Sequence, residues 1–152
     1  MIYREDKKAN DLFYTCALID YIGRQTKNTR TDVVNALGKS NIKKIYDLAD
    51  IYHSDNIAKV SDDFITQCKI AMGQFDNVGA CVYNLPTYWD IGKVYKRLII
   101  GVAQEKNMDM VEALFVVYNS FISPLIDNYN GSMYYEYSKN LVAMFMAGKV
   151  EI

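Results

Sequence analysis

A single histidine, His53, would have to serve every imidazole-dependent chemistry in this chain. Any catalytic triad, dyad or imidazole-bound metal is confined to its neighbourhood. Asp50 precedes it by one helical turn, the spacing at which a carboxylate and an imidazole share a metal in helix-bundle di-metal sites. Those sites need two such pairs and further carboxylates, and this chain has one pair. A histidine near a helix C-terminus, favoured by the dipole and a neighbouring carboxylate, is the simpler reading. The nearest preceding arginine, Arg30, is also too far away for the Arg-x4-6-His spacing of small helical ribonucleases. No metal and no cofactor is expected.

Cysteine is equally sparse. Cys16, Cys68 and Cys81 are odd in number and widely spaced, with no Cys-x-x-Cys pair. Reduced, buried thiols follow, and with them a cytoplasmic location. The chain lacks a phosphate-binding loop, a G-x-G-x-x-G turn, a G-x-S-x-G elbow and an H-E-x-x-H helix, so common nucleotide, hydride-transfer, esterase and zinc-protease chemistries lose their usual support. Gly38-Lys39-Ser40 imitates the end of a phosphate loop, but Val33 stands where the earlier glycine belongs. It reads as a helix stop followed by a new cap. No catalytic residue is assigned.

Long hydrophobic runs are missing too. The longest uncharged apolar stretch, residues 113–126, contains Asn119, Ser120, Ser123 and Pro124 and is too short to span a bilayer. Residues 1–8 carry Arg4, Glu5, Asp6, Lys7 and Lys8, unlike the apolar core of a signal peptide. No membrane partner is expected. Nor is there an excess of charge: 17 basic against 18 acidic residues leave a net −1 and no global field for nucleic acid. The basic residues do cluster, with Arg24, Lys27, Arg30, Lys39, Lys43 and Lys44 opposed locally only by Asp32.

What the chain has is helical periodicity. Leu12, Phe13, Cys16, Ile19 and Tyr21 fall near one helical face over residues 6–22, with Gly23 as its stop. Thr31 is placed to cap a short helix through Leu37 that ends at Gly38, and Ser40 to cap a third carrying Ile42, Ile45, Leu48, Ala49 and Tyr52. Residues 54–60 read as a short helical turn, and Ser61-Asp62-Asp63 as the start of another helix. Periodicity is lost between Gly73 and Pro86, where residues 80–85 could be extended but have no strand to pair with. Thr87 and Asp90 form a variant capping box ahead of Ile91, Val94, Tyr95, Leu98, Ile99 and Val102. Asn107 is placed to cap a helix apolar nearly all round, which Pro124 ends or kinks. Ser132 is placed to cap the last helix, which runs to Gly148. At 152 residues, the pattern predicts one all-α domain of six to eight helices, orthogonal or bundle-like, with half-domains at about 1–75 and 86–152.

Thirteen tyrosines and a run of methionines late in the chain suit both cores and protein interfaces. Trp89, Tyr134, Tyr135 and Tyr137, near helix starts, are the candidate partner-binding anchors. Lys93 and Arg97 follow Trp89 at four-residue steps, so a cation stacked on the indole is expected. The basic cluster could be drawn as a helix-turn-helix, yet its second helix commits its apolar face to packing and carries Asp47 and Asp50 toward the phosphates.

Two segments, PTYWDIGKVYKRLI at residues 86–99 and IYDLADIYH at residues 45–53, resemble parts of small, uncharacterised, all-helical bacterial proteins. Some of those similar to residues 10–65 sit near toxin and antitoxin genes. The resemblance implies a regulatory or partner-binding role and transfers no active-site residue. The chain therefore reads as a non-enzymatic interaction module forming a homodimer through its apolar second half. The alternative is an antitoxin-like, nucleic-acid-linked regulator using Arg24, Lys27, Arg30, Lys39, Lys43 and Lys44, and an enzyme of unfamiliar geometry is third.

Overall fold

The computed structural model describes the backbone of residues 2–150 and the side chains of residues 7–150. These residues form nine α-helices and no strand. The first, α1 (Ile2–Thr26), buries Leu12, Cys16, Ile19 and Ile22 along one side. It runs through Gly23, which is a point of close approach: a Cβ there would lie 2.4 Å from the Arg30 side chain. The stop comes at Lys27, in the left-handed conformation with φ 55°.

The second helix, α2 (Arg30–Asp47), is capped by Thr29, whose hydroxyl accepts the Asp32 N–H. Thr31, the expected cap, instead donates its hydroxyl to the Tyr118 carbonyl. Gly38 at φ 78° breaks α2 into two helical pieces where the sequence places a stop. After α3 (Ala49–His53), Asn56 caps an unbroken α4 (Ile57–Cys68). The predicted boundary at Ser61 is absent, because Ser61 is buried within α4. Residues 69–87 are irregular except for α5 (Asn77–Ala80), and residues 80–85 form no strand. This stretch is tied to the end of α1 by hydrogen bonds from the Gly73 and Phe75 amides to the Thr26 and Lys27 carbonyls, both 2.8 Å.

The Thr87–Asp90 capping box opens α6 (Tyr88–Lys106), with both reciprocal hydrogen bonds made. Asn107 ends this helix, at φ 50°, rather than starting the next; asparagine tolerates the left-handed cap. Asp109 caps α7 (Met110–Tyr118) by accepting from Val111 and Glu112. A break at residues 119–121 precedes α8 (Ile122–Ile126), so Pro124 lies inside a new short helix. A 3-10 turn (Met133–Tyr135) follows. Then α9 (Ser138–Ala147) begins six residues beyond the expected Ser132 cap and ends at Gly148, φ 75°.

The long helix α6 packs against α1, α7 and α9, and buried side chains from both ends of the chain form one contiguous core. The α1–α6 contact is closest at Gly92, where a Cβ would sit 2.8 Å from the Ala17 amide nitrogen. Backbone cannot yield as a flexible side chain does. Gly92→Ala is therefore expected to destabilise the fold by about 1–3 kcal/mol through overpacking, read as a lower urea midpoint at unchanged m-value. An unchanged midpoint would show that the two helices slide apart freely.

Candidate functional site

Two features stand out from this framework: a buried polar network and an aromatic, cationic face along α6. The network begins with Asp20, on the core side of α1. Its carboxylate accepts from the Arg30 Nε at 2.8 Å, the Arg24 Nε at 2.7 Å and the Tyr129 hydroxyl at 2.7 Å. Arg30 is fully buried and spends its remaining donors on the Asn28 carbonyl, the Asn77 side-chain carbonyl and Tyr129. Burial works against its charge, and Asp20, Tyr129 and Asp127 together more than offset it, so the guanidinium is held firmly protonated.

Asn77 donates in turn to the Asp127 backbone carbonyl, and Tyr95 donates to the Asp127 carboxyl at 2.7 Å while touching Ser123 Oγ at 2.8 Å. Burial pushes the Asp127 carboxyl up to about 7, against the pull of Arg30. A cavity of about 350 Å³ lies beside the network, between Phe75, Asn77, Pro124 and Tyr129. Every nitrogen of the Arg30 guanidinium donates within the chain, so this network joins α1, α2, α5, α6 and the residues after α8. Among the described residues, no three His, Cys, Asp or Glu side chains come together as a metal site.

The predicted anchors divide between two places. Trp89 packs inward among Phe13, Tyr14, Tyr88 and His53, with ring centroids 5.2–6.4 Å apart. Neither expected cation, Lys93 or Arg97, is found over its ring among the described residues; a different one, Lys96, lies over Phe13, 5.6 Å from the centroid. His53 stacks on Tyr14 and Trp89, while Asp50 turns to Lys7 at 3.7 Å. Tyr134 is half-buried against Tyr129 and Tyr135, whereas Tyr135 and Tyr137 are 70% and 80% exposed. The irregular stretch before α6 adds Val82 and Tyr83, 76% and 70% exposed. Sequence periodicity missed these two because they belong to no helix. Tyr83, Tyr134 and Tyr135 border one hollow of about 370 Å³, and Leu85, Val94, Tyr134 and Tyr135 another of about 360 Å³.

The basic cluster of residues 24–44 is largely spent on intramolecular pairing. Arg24 and Arg30 hold Asp20, Lys27 lies 3.9 Å from Asp76, Lys39 3.6 Å from Glu112 and Lys43 2.9 Å from Asp47. Arg30 does not reach the surface at all. Lys44 alone of the six has no carboxylate partner among the described residues. A different set of cations has no carboxylate partner among the described residues: Lys93, Lys96 and Arg97 on α6, joined by Lys139 at the start of α9. Burial, then Arg97 and Lys93, lower the Lys96 pKa, with no carboxylate to counter them.

No helix of the described residues is long and apolar enough to cross a membrane. No family model, no curated protein and no solved structure matches the chain, so its surfaces are read from their own chemistry.

Proposed function

We propose that this protein is a non-enzymatic, cytoplasmic interaction module that works by protein contact and pairs with a second copy of itself. The observation that carries this reading is a group of exposed aromatic rings: Tyr83 and Tyr135 border one hollow, Tyr135 also borders a second, and Val82 and Tyr137 are exposed close by in the chain. Large rings with a polar tip lose little conformational entropy on docking and bury much area, which is why tyrosines concentrate interface energy. Tyr134 packs edge-on against Tyr135, which holds that ring in place before a partner arrives. Trp89 supports the reading indirectly, by fixing the start of α6 against α1. The pairing of the 24–44 cations speaks for protein contact over the nucleic-acid alternative, since a basic surface already matched to carboxylates releases few counterions from a phosphate backbone.

Sedimentation across a concentration series tests the proposal. The wild-type chain is expected to self-associate, and Tyr135→Ser with Tyr137→Ser to weaken that association at least about tenfold. Both residues are exposed, so the variant should keep the wild-type melting transition. A monomer at every concentration, or a dimer indifferent to the two substitutions, would remove this face as the self-association surface.

A further inference from the structure

The face continues past the tyrosines into a groove between α6 and α9. The two helices run in the same direction: Asp90 and Val94 lie beside Tyr134 and Tyr135, Gly101 meets Val142, and Lys106 lies over Phe145. Gly101 sets the groove's depth, because a Cβ there would fall 2.4 Å from Val142 Cγ2. The groove has a volume of about 830 Å³ and is open to solvent. Its floor is Ile100, Gly101, Val142, Ala143 and Met146, all apolar and part of no internal cavity. Lys96, Arg97 and Lys139 crowd one end, and none has a carboxylate partner among the described residues; Glu105 stands toward the other, beside Met146.

We infer that this groove is the docking site for an acidic amphipathic helix of a partner protein. The apolar stripe of such a helix would cover Ile100, Val142, Ala143 and Met146, with its carboxylates gathered at the Lys96–Arg97–Lys139 end. Charge complementarity selects this occupant. Lys96, Arg97 and Lys139 line one groove with no carboxylate partner among the described residues, and bound carboxylates would supply a counter-charge while the apolar floor is desolvated. A helix laid in a groove matches an open, elongated, parallel-walled site. A fatty acyl chain would remain wetted along the open side, and a nucleic-acid strand would leave the apolar floor uncovered.

This inference rests on the protein-contact reading but uses a different surface from the tyrosine face, so the two can fail separately. The probe is a fluorescein-labelled amphipathic peptide of about 15 residues, with leucines at i, i+3, i+4 and i+7 and glutamates flanking its first half. A control peptide carries lysines in place of the glutamates. Anisotropy should show the acidic peptide binding the full-length protein, with affinity falling as salt rises, and the basic peptide not binding. Arg97→Glu with Lys139→Glu, both at exposed positions, should weaken the acidic peptide about tenfold or more and admit the basic one. Ala143→Arg, which fills the groove from an exposed position, should abolish binding of both. Equal binding of the two peptides, or none, overturns the inference. So does retention on anionic vesicles or duplex DNA, through the same residues, in place of the acidic peptide. Loss of peptide binding in a chain whose self-association still depends on Tyr135 and Tyr137 rejects the groove and leaves the protein-contact reading standing.

Discussion

Arg30→Met is expected to cost the fold about 3–5 kcal/mol. Methionine fills much of the volume, so the loss is not chiefly a cavity. It arises because Asp20, itself buried, would keep only Arg24 and Tyr129 as partners, and because Asn77, Tyr129 and the Asn28 carbonyl would each lose a hydrogen bond. Removing one member of a buried ion pair leaves the other desolvated and uncompensated, which is far worse than never having had the pair. The double variant Arg30→Met with Asp20→Asn should accordingly recover part of the loss. Guanidinium chloride unfolding of the four chains forms a cycle whose coupling energy isolates the pair. Additive losses would mean that Arg30 contributes without coupling to Asp20, through its bulk and its bonds to Asn28, Asn77 and Tyr129. Arg30→Lys should behave more like the methionine variant than a conservative one, because an ammonium cannot serve Asp20, Asn28, Asn77 and Tyr129 together from one plane.

The second large effect is a pH dependence centred on Asp127. Its carboxyl titrates near 7 in the folded chain and near the ordinary 3.8 when unfolded. A raised folded-state value means that the fold prefers the protonated form. The contribution is present in full below about pH 4 and is lost as pH rises through about 7. At 1.36 kcal/mol per unit the loss approaches about 4 kcal/mol across that window. Asp127→Asn should remove it: the amide oxygen can still accept from Tyr95, and no charge forms. Relative to wild type, the variant is expected to be nearly equal at pH 4 and more stable by up to a few kcal/mol at pH 8. Denaturant midpoints of both chains at the two pH values provide the check. A less stable variant at pH 8 would show that the ionised Asp127 stabilises the fold, serving Arg30 as a second counter-ion.

Asp20 and Arg30 also show where sequence reasoning runs out. The all-α class, the Gly38 break, the Thr87–Asp90 box and the Gly148 stop are local features, set by one residue's conformation or by a reciprocal pair three residues apart, and all four are readable in the chain. Arg30 belongs to the same local run of cations as Lys27 and Lys39, and nothing near it in sequence marks it as the buried one. Its partners lie ten, 47 and 99 residues away. Asp20 offered a faint signal, a carboxylate beside the apolar residues Leu18 and Ile19. Asn107 and Asp109 compete for one boundary, and both are good helix-end residues, so only the backbone conformation decides between them. The aromatic face was half visible: Tyr134, Tyr135 and Tyr137 cluster in the chain, but Tyr83 joins them only through folding. The cations Lys93, Lys96 and Arg97 were visible in the chain, yet that they meet no carboxylate among the described residues is a property of what α6 does not face.

The reach of the Asp20 network has a consequence for the chain during its synthesis. Residues 20 and 30 leave the ribosome together and can pair at once, whereas the Tyr129 hydroxyl that completes the Asp20 carboxylate follows 109 residues later. Until it arrives, a nascent chain that has begun to bury α1 against α2 carries an incompletely satisfied charge pair at their junction. Burial there is opposed until the segment carrying Tyr129 has been translated, which favours late closure over premature collapse of α1 and α2.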